Sequence, residues 1–243
     1  MTRAAARRRG GRAARLHGTR APDRTGAPDD AALVRRGHAP PPAPGKTLVL
    51  ACGALAHEIV ALVRANGWDH LHLHCLPAIL HNTPDAIPAA VDAALARIPH
   101  AAALVAYADC GTGGRLAEVC ARHGARMIPG PHCYAFYEGV DAFAARTEGG
   151  ADMRTFYVTD FLARQFDAFV TGPLGLDRHP ELRETYFGRY DTLLHQAQVD
   201  DPALAALARG HADALGLRYE RRLTGYGDLR SALAEARRPD PPS

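Results

Sequence analysis

From Lys46 onward, short apolar runs alternate with longer amphipathic stretches, and this rhythm restricts the chain more than any other feature of its sequence. Residues 47–51, 70–76, 102–108 and 126–128 read as strands, while 55–65, 84–97, 114–123 and 134–145 read as helices. Strands separated by helices cannot pair as hairpins, because each crossover returns the chain in the same direction. The expected fold class is therefore α/β, an open doubly wound, Rossmann-like parallel sheet. The second half reads differently, with amphipathic helices over 156–170, 180–196 and 202–215, one strand over 218–223 and a closing helix over 226–236. The expectation is a single α/β domain over 46–238 with additional C-terminal helices.

Charge divides the chain at the same place. Residues 1–45 carry ten arginines against Asp23, Asp29 and Asp30, whereas the remainder has 19 basic and 23 acidic residues. The arginine-rich segment ends in Ala39-Pro-Pro-Pro-Ala-Pro44 and has almost no apolar periodicity, so 1–45 is expected to be a disordered tail. No apolar core of a signal peptide follows Arg7-Arg8-Arg9, which argues against export. No apolar run is long enough to span a bilayer. With a mildly acidic body, the expectation is a cytoplasmic protein with neither a membrane nor a nucleic acid as partner.

Five cysteines in 243 residues are too few for a disulfide scaffold, but their positions are not scattered. Cys52 follows the first expected strand, Cys110 the third, and Cys133 the fourth by way of Ile128-Pro-Gly-Pro131. In an open parallel sheet, ligands bind beyond the carboxyl ends of the strands. Helix N-termini also favour thiolates, which are the nucleophilic and metal-ligating form of cysteine. Three thiolates from separate turns suit zinc or iron, with His132 or His81 as a further ligand. Packing alone and a single nucleophilic cysteine are the rival readings. Cys120 falls inside a helix and reads as a buried thiol. Cys75 shares the packing face of its strand with Leu71 and Leu73, which leaves His70, His72 and His74 on the other face of an edge strand.

Gly111-Thr112-Gly113-Gly114 precedes a helix and is a candidate cofactor-binding loop, since backbone amides there can cradle phosphate. It lacks the glycine spacing of a dinucleotide fingerprint and the lysine of a P-loop, so a plain tight turn competes. His57-Glu58 reads as helix capping or an acid/base pair, and Asp177-Arg178-His179-Pro180 as a turn leading into a proline-started helix. Neither a Gly-x-Ser-x-Gly elbow nor a His-Glu-x-x-His helix is present, against serine-hydrolase and zincin chemistry.

Taken together, Ala51-Cys-Gly-Ala-Leu55, Leu76-Pro77 with His81-Asn-Thr-Pro84, Asp109-Cys-Gly-Thr-Gly-Gly114 and Ile128-Pro-Gly-Pro-His-Cys133 resemble the domain of unknown function 1638 family. Thr155-Phe-Tyr-Val-Thr159 and Tyr186-Phe-Gly-Arg-Tyr190 extend the resemblance, which covers about residues 47–236. It implies a cytoplasmic protein associated with corrinoid-dependent methyl transfer from methylated amines, with no established reaction. Cys52, Cys110 and Cys133 occupy the resembling cysteine positions, whereas His132 stands where relatives carry another residue.

The leading expectation is a thiolate-rich metal-binding protein linked to one-carbon transfer, acting on a small molecule or a corrinoid methyl-transfer protein. The alternatives are a non-catalytic accessory protein that binds a corrinoid protein, through Tyr186 and Tyr190 among others, and a small-molecule methyltransferase using the glycine loop.

Overall fold

The structure, a computed structural model, describes residues 28–150 and 152–236. Strands β1 (Thr47–Cys52), β2 (Leu71–Leu76), β3 (Ala102–Ala106) and β4 (Arg126–Met127) form a parallel sheet in the order β2-β1-β3-β4. Helices α2 (Ala56–Asn66), α3 (Ile87–Arg97) and α4 (Arg115–Arg122) make the crossovers. All six residues of β1 are buried, as a central strand covered on both faces requires. The strand order reverses between β1 and β3, so a crevice opens beyond their carboxyl ends, where Cys52 and Cys110 lie.

The α/β fold class is as the sequence indicates, but the second half is less helical than expected. Helices α5 (Cys133–Glu138) and α6 (Val140–Thr147) lead into a second parallel sheet, β5 (Thr155–Thr159), β6 (Thr192–Ala197) and β7 (Arg218–Leu223), in that order. The expected helix over 156–170 is in fact β5, then α7 (Asp160–Arg164) and a π turn over Asp167–Thr171. The expected helix over 180–196 divides into α8 (Leu182–Phe187) and β6. Helix α9 (Pro202–Leu215) forms as read: Asp201 caps it by accepting from the amides of Ala203 and Leu204, Pro202 opens it, and left-handed Gly216 ends it. Helix α10 (Gly227–Ala234) returns to the first sheet and buries Leu229 and Leu233 in its core.

A further correction concerns the segment ahead of β1. The expected disorder over 1–45 lies outside the described residues for 1–27, but 28–45 is ordered. Helix α1 (Asp30–Arg35) buries Leu33 and Val34 in the first core, and His38 pairs antiparallel with Cys75 along the edge of β2. Backbone bonds from His38 N to Cys75 O (2.9 Å) and from Cys75 N to His38 O (2.7 Å) cover what would be an open edge. Leu33 and Val34 supply the apolar part of the docking of a six-residue helix that composition alone places in the tail. No helix among the described residues is long and apolar enough to cross a membrane.

Candidate metal centre

The turn after β3 is zipped to the segment entering α5. Asp109 N donates to Gly130 O at 3.0 Å and Cys110 N to Pro131 O at 2.9 Å. These two bonds set Cys110 opposite Cys133, the first residue of α5, and their sulfurs are 3.1 Å apart. Cys110 has a φ of 49°, and no other non-glycine residue among the described ones has a positive φ. Holding a side-chain-bearing residue there costs roughly 1–3 kcal/mol, a strain found where a function needs the geometry.

The glycine loop helps to hold that strain. Asp109 accepts from Gly114 N (2.7 Å), Gly113 N (3.2 Å) and Thr112 Oγ1 (3.0 Å), and Thr112 is wholly buried. The bond from Gly114 leads in keeping the Asp109 carboxyl below its ordinary range, against a smaller effect of burial. In Gly111-Thr112-Gly113-Gly114, then, two of the amides that a phosphate would seek are already given to Asp109.

His81 arrives from the 3-10 turn Ala78–Asn82 that follows β2. Its ring stacks on Tyr107, just beyond β3, with centroids 6.1 Å apart and planes 8° from parallel. Nδ1 lies 3.4 Å from the sulfur of Cys52. The ligand atoms of His81, Cys110 and Cys133 all lie within 4.8 Å of one another, so three donors gather from three separate turns. Cys52 stands beside this group, at the end of β1, with its sulfur also accepting from Ala54 N. The structure thus brings Cys52, His81, Cys110 and Cys133 to one place. His132 lies outside the three-donor group: it caps α5 in extended conformation and stacks on Tyr134 with centroids 4.8 Å apart.

The donors divide their protons unequally. The hydrogen bond with Cys133 outweighs burial and, with the His81 bond and charge, holds the Cys110 thiol down to about 4. Cys133 is pushed upward by its bond to Cys110 and by burial, so one proton sits between the two sulfurs. Burial acts to lower His81, but the neighbouring Cys52 and Cys110 sulfurs outweigh it and raise the imidazole above its ordinary range. These shifts favour a thiolate on Cys110 beside a protonated His81, a charge pattern that a soft cation would replace.

Beside the donors is a cavity of about 140 Å³ with almost wholly apolar walls. His81 and Cys133 stand on its lining with Leu55, Phe161, Phe169 and Tyr157, so the ends of both sheets contribute. The hydroxyls of Tyr157 and Tyr107 are buried without a hydrogen-bond partner. Sequence reasoning passed over both tyrosines. Tyr107 sits in an apolar run that reads as packing, and Tyr157 in a stretch that reads as helix.

The remaining candidates lie elsewhere. Cys120 is buried within α4 and Cys75 in the first core, where burial raises both thiols, Cys120 to about 11. His74 is buried and His72 half-buried on the edge strand, and among the described residues they form no three-donor group like that of His81. Glu58 does not cap at a surface: it is 5% exposed, burial raises its carboxyl, and its Oε2 has no partner. Asp177 pairs with Arg178 at 3.7 Å in an exposed turn, as the turn reading has it, but the helix that follows begins at Leu182 and not at Pro180.

A family model described as "Protein of unknown function (DUF1638)" matches residues 75–233. The matched segment contains His81, Cys110 and Cys133 and begins after Cys52. Neither a curated protein nor a solved structure matches the chain significantly. Since the family model covers well over half of its length, the chain belongs to the DUF1638 family.

Proposed function

We propose that this protein binds a metal ion through His81, Cys110 and Cys133 and uses it in soft-ligand chemistry. The observation that carries the reading is the gathering of one imidazole and two thiol donors within 4.8 Å from turns far apart in sequence. Structural zinc sites close with four protein ligands, whereas catalytic ones use three and leave a position free. A nitrogen with two sulfurs fits zinc, which mixed histidine and cysteine sets commonly bind, and it also suits thiolate-held iron. Two thiolates on one zinc stand about 3.8 Å apart for Zn–S bonds of about 2.3 Å, so the sulfurs need to part by less than an ångström. When bound, the metal would act as a Lewis acid that lowers the pKa of a ligand at the free position.

Around it, Cys52 orients the imidazole, the loop capped by Asp109 fixes Cys110, and the apolar walls keep water from the exchangeable side. The finer reading, methyl transfer involving a corrinoid protein in the cytoplasm, is supported by the family resemblance and by thiolate-rich sites suiting one-carbon acceptors. Metal analysis of protein purified without oxygen tests the metal reading. About one equivalent of zinc is expected in the wild type and far less in Cys110→Ser. A wild type that neither retains nor takes up zinc would overturn it.

The 3.1 Å separation of the Cys110 and Cys133 sulfurs favours a second reading, a dithiol–disulfide pair. Peroxide would take two electrons and two protons from the thiols, leaving one S–S bond and water. Thiol counts on the metal-free protein before and after peroxide decide it: two thiols lost, reversibly, with Cys133→Ser blocking the loss.

A further inference from the structure

The cavity beside the three donors is partly open to the surface, and its apolar walls disfavour highly charged ligands. At about 140 Å³ it is close to the roughly 150 Å³ that holds benzene in an engineered apolar cavity. Its lining carries few polar groups: the imidazole of His81, the thiol of Cys133, Thr159 and three tyrosines among otherwise apolar side chains. A carboxylate or phosphate here would be stripped of water with no lysine or arginine on the lining to receive it, and His81, the one titratable cation there, is taken up as a metal ligand. A ligand that places carbon against Leu55, Phe161 and Phe169 must still present one soft donor toward His81 and Cys133.

Resting on the metal reading above, we propose that the site takes a small neutral thiol whose carbon body is no larger than a six-membered ring, with its sulfur at the metal position the protein leaves free. On binding, the S–H bond breaks, the sulfur donates an electron pair to the metal, and the proton leaves to solvent. Tyr157 lines the cavity, but its hydroxyl is buried out of reach of the space, so the ring is what a ligand meets. Because that hydroxyl has no partner in the protein, removing it strips no internal bond.

The test uses the full chain loaded with cobalt(II) under anaerobic conditions and titrated with benzenethiol, 4-hydroxybenzenethiol and glutathione. Benzenethiol is expected to add a saturable sulfur-to-cobalt absorption band at one equivalent and to release one proton, and glutathione to do neither at the same concentration. Leu162→Trp, which fills the cavity, should keep the thiol-free cobalt spectrum and lose the new band. Tyr157→Phe should leave benzenethiol and 4-hydroxybenzenethiol equally strong, since the hydroxyl it removes does not face the cavity. If cobalt loads normally and no thiol alters its spectrum, or glutathione matches benzenethiol, the ligand assignment is overturned while the metal centre stands. If cobalt does not load, both are overturned.

Discussion

A Cβ atom on Gly53 would stand 2.6 Å from the carbonyl oxygen of Leu33. The turn that follows Cys52 is therefore in backbone contact with α1, and only a residue without a side chain fits between them. The same atom would lie 3.1 Å from Leu76 O at the end of β2. Since both neighbours are main chain, neither can rotate away. Gly53→Ala is expected to lower stability by about 1–3 kcal/mol, the usual cost of forcing a methyl into a packed site. Urea unfolding checks it, and a change within error of zero would mean that α1 is loosely docked.

Asp30 carries the electrostatic side of that docking. His57 Nε2 donates to its Oδ1 at 2.6 Å and Arg164 Nε to its Oδ2 at 2.7 Å, which joins α1 to α2 and α7. Burial pushes the carboxyl up, but the bonds from His57 and Arg164 and the guanidinium charge outweigh it and bring the pKa from 3.8 down to about 2. A folded-state pKa below the unfolded value contributes stability that is fully present above about pH 4 and is lost as the pH falls toward 2. With Asp30 partly open to solvent, the contribution is about 1–2 kcal/mol after screening. Asp30→Asn should therefore cost that much at pH 6 and almost nothing near pH 2, read from denaturation curves at each pH.

The first sheet was legible because β1 to β4 are separated by turns and helices of ordinary length, each marked by a change of periodicity. The second was not. β6 is buried at all six positions, so Thr192–Ala197 shows no alternation, and its leucine, histidine and glutamine continue the apolar spacing of α8 without a break. β5 runs into α7 with only Thr159 as cap, and four of its five residues fall within the 156–170 stretch whose spacing reads as helix. At the site, Cys110 and Cys133 could be placed from strand ends alone, because parallel strands deliver their carboxyl ends to one rim. Choosing between His81 and His132 could not be done that way. His132 adjoins Cys133 but in extended backbone, where successive side chains diverge, while His81 reaches the sulfurs across a turn whose path only the fold reveals.

Asp160, at the junction of β5 and α7, is a buried carboxylate outside the site. Its Oδ2 accepts from Gln198 N (3.0 Å) and Val199 N (3.1 Å), and its Oδ1 lies 2.8 Å from His195 Nε2. With the proton on Nε2, His195 Nδ1 is free to accept from the Tyr219 hydroxyl at 3.1 Å, so the chain is satisfied to the edge strand. Asp160→Ala leaves two amides and an imidazole unpaired in a dry interior and is expected to cost about 3–5 kcal/mol. Asp160→Asn keeps an accepting oxygen and should cost less. Thermal unfolding of both variants orders them, and equal losses would show that shape, not hydrogen bonding, is what the position supplies.

The four sulfur and nitrogen groups near the crevice should separate into ligands and supports when replaced one at a time. Cys110→Ser and Cys133→Ser each remove a donor from a set of three, and His81→Ala does the same, so each is expected to empty the site of zinc after gel filtration. Cys52 lies against His81 Nδ1 and outside the three-donor group, which makes it the residue that fixes the ring. Replacing such a support typically weakens metal binding by about 10–100-fold without abolishing it. Cys52→Ser should therefore still load zinc at saturating concentration and lose it faster to a chelator, whereas Cys120→Ala should match the wild type. If Cys52→Ser fails to load as fully as Cys110→Ser does, the centre has a fourth protein ligand, its free position is gone, and the cavity beside it serves packing alone.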